Sequence, residues 1–341
     1  MSRCSAGRAM RAGTGMERRG VLGAGVVLGA AAVVVGPSAA WAAEPPVREA
    51  VSEAGLAAAR GLFAAGAYGR LAGLLPLLLA GAELEVRQGP AGAVRAARVW
   101  VLASQLAVKQ GRTDAAGVYA GWAGTAARRS GEALVLAAAA RAGATPLRRT
   151  GRADEALTLL QEARAHLTSG PRPTAAEIDA AGMTALTAAY TAAQAHRPAL
   201  AEEFTDDAEQ TALRLARHPR TAARPWELSA GQCVLYRIGI HRRLGDTDAA
   251  LAHARRLDPE ALPTAERRAR AATDTARALL DAGDAAGAFA QLRLVELAAP
   301  GEARRPSVRA LTAEVAAARP GLAGLDAYAR RTAPAANTAA R

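Results

Sequence analysis

Lysine and asparagine are almost missing from this chain of 341 residues: Lys109 and Asn337 are the only ones. Aromatic residues reach only 4%, against 51% hydrophobic residues in all. A sheet wants aromatic and β-branched side chains, so a core of Ala, Leu and Val points to close-packed helices instead. The two cysteines, Cys4 and Cys233, are too few for a disulfide framework, and Cys233 reads as a small apolar packing residue. The formal charge of +12 rests almost wholly on arginine. An Ala/Arg/Gly-rich chain poor in Lys and Asn is what a GC-rich coding sequence produces, so the charge is weak evidence for a polyanionic partner.

Catalytic groupings are equally scarce. The histidines are His166, His196, His218, His241 and His253, and none has metal-ligand spacing with a third ligand nearby. Cys233 and His241 stand eight apart on one expected helix, roughly 12 Å, which is too far for a nucleophile and its base. Glu202, Glu203, Asp206, Asp207 and Glu209 read as a solvated acidic strip, with docking of a basic partner as the alternative. Arg267, Arg268 and Arg270 with Arg304, Arg305 and Arg309 read as solvated arginines, the alternative being a basic stripe on neighbouring helices. Gly23 and Gly25 follow no strand and form no dinucleotide fingerprint. No catalytic residue, cofactor or metal is expected, and the chain does not read as an enzyme.

What is abundant is a repeat. Gly111-Arg-Thr-Asp-Ala-Ala116 returns as Gly151-Arg-Ala-Asp-Glu-Ala156, Gly245-Asp-Thr-Asp-Ala-Ala250 and Gly283-Asp-Ala-Ala-Gly-Ala288. Looser copies run from Gly66 to Leu71 and from His196, which replaces the glycine, to Ala201. Successive steps of 45, 40, 45, 49 and 38 residues fit two helices with their turns, the period of a stacked helical solenoid. The glycine ends one helix, an Asp or Thr after it caps the next, and the small fifth residue lets two backbones cross closely. The fold expected is an all-α, right-handed α-solenoid of about six stacked helix pairs over residues 44–332. Pro76 and Pro146 are expected to bend or shorten the helices that hold them. The stretch 217–225 is the longest expected loop, and residues 333–341 are an expected disordered tail.

Residues 1–43 read as a leader, with the start codon at Met1 or Met16. Arg18 and Arg19 precede an apolar run from Val21 to Val35, and Ala40-Trp41-Ala42 supplies a small-x-small cleavage pattern. The paired arginines resemble a twin-arginine export signal, although Glu17 and Val21 depart from its pattern. Export, with transient membrane contact through the leader, is therefore expected; a greasy N-terminal helix in a cytoplasmic protein is the alternative.

With these residues in view, the chain resembles tetratricopeptide repeats (TPR), with longer steps and fewer aromatics than the 34-residue consensus. It resembles more closely the repeat half of actinobacterial regulators of the xenobiotic-response-element class. The stretches that carry this are 99–112, 185–194 and 268–277, and the resemblance covers about residues 47–332. It implies a non-enzymatic scaffold for a protein or peptide partner. The alternative is a cytoplasmic transcription-regulatory protein acting through a partner. The leader leaves no room for a helix-turn-helix, so direct DNA binding does not carry over.

Overall fold

The computed structural model describes residues 51–218 and 226–334. The expected leader, most of the expected 217–225 loop and most of the tail lie outside them. Within the unit Val47–Arg341, fifteen α-helices and no strand occur among the described residues. Twelve of them form six pairs: α1 (Glu53–Ala64) with α2 (Tyr68–Glu85), α3 (Gly89–Lys109) with α4 (Thr113–Ser130), α5 (Ala133–Arg149) with α6 (Ala153–Thr168), α7 (Ala175–Gln194) with α8 (Pro198–Leu215), α9 (Ala230–Leu244) with α10 (Thr247–Arg256), and α11 (Ala265–Asp281) with α12 (Ala285–Ala298). Three shorter helices follow: α13 (Pro300–Ala303), α14 (Pro306–Ala318) and α15 (Leu325–Thr332). The chain is an all-α solenoid of helix pairs.

One turn geometry joins the two helices of every pair. Gly66, Gly111, Gly151, Gly245 and Gly283 take φ between 69° and 85°, and His196 takes 55° at the matching place. The residue after each donates its N–H to the carbonyl five positions back, at 2.8–2.9 Å in all six turns. That bond satisfies a carbonyl the helix end would otherwise leave open. The chain then re-enters a helix whose first turn carries Leu71, Ala116, Ala156, Ala201, Ala250 or Ala288, every one of them 0% exposed. An alanine there lets the two helix axes approach, because no side chain stands between them.

Capping of the second helix is less uniform than the sequence implies. Asp246 and Asp284, directly after the glycine, accept from the N–H groups of Ala249 and Gly287. In the α4 and α6 turns Arg112 and Arg152 hold the cap position and no side chain caps the helix. Thr113 lies one residue inside α4. Nor do the prolines end their helices: α2 continues nine residues past Pro76 to Glu85, and α5 three past Pro146 to Arg149. A proline interrupts one backbone bond, and packing of Leu71, Leu75, Leu78 and Leu79 into the apolar core holds α2 together regardless.

The odd-numbered helices form the inner layer. Each packs on the next, α3 on α5, α5 on α7, α7 on α9 and α9 on α11, and α11 also packs on α1, which brings the layer back to its start. Further contacts seal this return. Gly66 at the α1–α2 turn approaches the Ala299 Cβ and Gly301, and Gly111 approaches Pro306. Three core clusters rich in alanine hold the layers together, one centred on α2–α5, one on α5–α9 and one on α11–α15.

Candidate binding cavity

Because the inner helices run side by side, their inward faces meet in the middle. The stripe is spaced at helical intervals on each: Arg98, Gln105 and Lys109 on α3; Arg141, Thr145 and Arg148 on α5; Thr187, Tyr190 and Gln194 on α7; Tyr236 and Arg243 on α9; Arg267, Arg270, Asp274 and Arg277 on α11. They line a cavity of about 650 Å³. A volume of this size suits a small ligand or a short stretch of peptide. Eleven cationic side chains face it, against the three carboxylates of Glu227, Glu266 and Asp274.

Each carboxylate is shared between cations. Glu227 takes Arg141 at 2.9 Å and Arg267 at 2.8 Å. Burial would raise the Glu227 carboxyl, but these two guanidiniums outweigh it and hold it down at about 2. Asp274 takes Arg277 at 3.0 Å and Arg270 at 3.4 Å. Glu266 pairs with Lys109, which also reaches Glu302 at 2.6 Å. Glu302, fully buried behind the cavity wall, accepts as well from Arg305 at 2.6 Å and from the Tyr68 hydroxyl. This buried cluster ties α2 and α3 to α11 and α13.

Aromatic groups share the cavity with the cations. Arg270 lies over the Tyr236 ring, 4.3 Å from its centre, and Arg148 over Tyr190 at 5.1 Å. Burial alone would raise the Tyr236 phenol; Arg270, Arg267 and Arg141 overcome it and bring the phenol down to about 7. Arg148 goes the other way. Burial lowers it to about 10, and its neighbours Arg270 and Arg149 add repulsion.

The repeat residues named from sequence lie between the layers and at the turns, not in the cavity. The residues Arg18, Arg19, Ala40 and Ala42 of the expected export signal fall outside the described residues. Of the arginines singled out as a basic stripe, Arg267, Arg270 and Arg305 line the cavity rather than the solvated exterior, while Arg304 is exposed. For these three the solvated reading is corrected in favour of the alternative, a basic stripe on neighbouring elements, because α11 belongs to the inner layer and Arg305 opens α14 beside it. The rest of the lining was missed; its signal was arginine recurring at three- and seven-residue intervals on helices otherwise rich in alanine. The acidic strip on α8 is not left to solvent alone. Arg237 of α9 spans Glu202 at 3.0 Å, Asp206 at 3.2 Å and Glu209 at 2.6 Å, and Arg164 of α6 takes Asp207 at 2.6 Å. Cys233 is buried, which pushes its thiol up to about 12, and His241 stacks instead on His253 at 5.1 Å. Among the described residues no three His, Cys, Asp or Glu side chains are grouped to hold a metal, and no helix is long and apolar enough to cross a membrane.

No family model matches this chain, and no curated protein does. Among solved structures it is similar to the APC/C hetero-tetramer Cut9-Hcn1, with a TM-score of 0.37 and 13% identity. That likeness covers 82% of this chain and 55% of the other, so the chain spans about half the length of the structure it matches.

Proposed function

We propose that this protein is a non-enzymatic TPR-like scaffold that holds a protein or peptide segment in the cavity between its inner helices. The observation that carries the reading is the convergence of five inner-helix stripes of polar and charged side chains on one cavity, in a fold where such faces otherwise meet solvent. Stacked helix pairs present an extended surface fixed by rigid elements, which suits recognition of an extended segment. The leader read over residues 1–43 adds the proposal that the scaffold works outside the cytosol. N-terminal sequencing of the protein from each cell fraction checks it, and an uncleaved cytosolic chain overturns it in favour of the regulatory reading.

The scaffold itself is tested by placing a photo-crosslinking amino acid at Gln105, exposed in the cavity, or at Leu213, 67% exposed on the outer helix α8, in the host's own cells. A discrete crosslinked polypeptide from position 105 that is absent from position 213 is expected. No polypeptide from 105, or the same one from both positions, overturns the reading.

A further inference from the structure

We infer that the segment the cavity accepts is acidic, and that its carboxylates sit between Arg148 and Arg149 at the end of α5 and Arg277 and Arg305 on the opposite wall. The inference rests on the scaffold reading and names the chemistry of its partner.

The internal carboxylates do not balance the cavity. Eleven cations face three carboxylates, with Glu302 behind the wall and Glu53, which takes Arg98 at 3.3 Å, as further partners. The imbalance is greatest at the end of α5. Among the described residues no carboxylate lies within ion-pair reach of Arg148 or Arg149. Arg148 has only the Thr191 hydroxyl at 3.5 Å and the face of Tyr190. Arg149 is lowered by burial and then by the charges of Arg305 and Arg277 across the cavity. Those two are themselves only part-satisfied. Arg277 shares Asp274 with Arg270, Arg305 shares Glu302 with Lys109, and the Arg305 Nε is buried without a partner. Four guanidiniums short of acceptors, two at the end of α5, one on α11 and one in the turn between α13 and α14, repel one another until an anion enters. Guanidinium forks match carboxylates with two parallel hydrogen bonds each.

Two features favour an acidic peptide over a phosphorylated small molecule. The aromatic faces a nucleobase would stack on are already taken, Tyr236 by Arg270 and Tyr190 by Arg148. Cations also line the cavity along its length, from Arg98 and Arg141 to Arg305, which fits several separated charges on an extended chain.

The test uses the full chain and fluorescence anisotropy of a short labelled peptide of alternating glutamate and alanine. Its glutamine counterpart, inorganic phosphate and adenosine triphosphate serve as competitors. The acidic peptide is expected to bind, more weakly as salt rises, and the glutamine peptide not to displace it. Arg148→Gln with Arg149→Gln is expected to weaken binding at least tenfold, whereas Arg128→Gln with Arg129→Gln on the exposed end of α4 leaves it unchanged. Thermal melts show that each variant is folded. Equal binding of both peptides, equal loss in both double variants, or no binding of the acidic peptide overturns the inference. Displacement by phosphate or the nucleotide at lower concentration than by the acidic peptide overturns it in favour of a phosphorylated ligand. A partner crosslinked from position 105 alongside any of these failures sinks the acidic chemistry and leaves the scaffold standing.

Discussion

His196 is the one residue other than glycine with a positive φ, 55°, among the described residues. The turn at this point makes the same hydrogen bond as the glycine turns, so the geometry is imposed by the packing of α7 on α8 and the residue accommodates it. A side chain in the left-handed region costs roughly 1–2 kcal/mol, and the gain from glycine is reduced by the entropy glycine adds to the unfolded chain. His196→Gly is expected to stabilise the fold by up to about 1 kcal/mol in chemical denaturation. Tyr236 makes the second prediction at this scale. Its phenol sits at about 7, below the ordinary value of 10, with Arg270 and Arg267 of α11 and Arg141 of α5 around it. A group whose folded pKa is depressed stabilises the fold in its ionised form. That contribution is absent below pH 7, grows between about 7 and 10, and is complete above 10. Phenolate absorbance is expected to rise near pH 7 and to lose that step in Tyr236→Phe. An acidic occupant of the cavity would move the step upward.

At the level of the helix, much was legible because the signal is periodic. The turns that open α4, α6, α10 and α12 fall where the glycine repeat places them, and α3 is sandwiched between α2, α4 and α5. What sequence could not weigh was packing against local preference. Pro76 and Pro146 signal a break, yet both helices run through them, since the lost backbone bond is small beside the apolar surface the helix buries. Five of the six crossings carry alanine, and the α1–α2 crossing carries Leu71. Ala250→Leu introduces bulk where α10 meets α9 and is expected to destabilise by about 1–3 kcal/mol; a melt unchanged from the parent would count against that crossing.

At the scale of the solenoid, the return of α11 onto α1 depends on close approach and on buried charge. A Cβ at Gly301 would stand 2.0 Å from the carbonyl oxygen of Gly66. Gly301→Ala is therefore expected to cost about 1–3 kcal/mol and to speed hydrogen exchange in α1. Lys109 holds Glu266 and Glu302 together, and its removal leaves two carboxylates facing each other in the interior. Lys109→Met is expected to destabilise by about 3–5 kcal/mol, read by urea denaturation. Burial would raise both carboxyls, but the Lys109 charge, helped by Arg267 and Arg305, holds them below the ordinary value of 4.5. Their stabilisation is present above pH 4.5 and lost as the pH falls below it, so the native protein should weaken steeply in acid while Lys109→Met shows a shallower loss.

The sequence by itself determined the class of the molecule and its repeat. Alanine in place of aromatics forbids a sheet core, and a glycine or histidine turn followed five residues on by a small or apolar side chain recurs every helix pair, because both constraints are local. The cavity was decided only by tertiary structure. Arg148, Glu227, Tyr236, Arg267 and Arg305 lie far apart in the chain, and their meeting depends on how many pairs stack before α11 reaches α1. Curvature accumulates from small rotations at every crossing, each set by side-chain volumes on two helices at once. No single repeat carries that information, so an arginine that reads as solvated in its own helix comes to face other arginines across a shared interior.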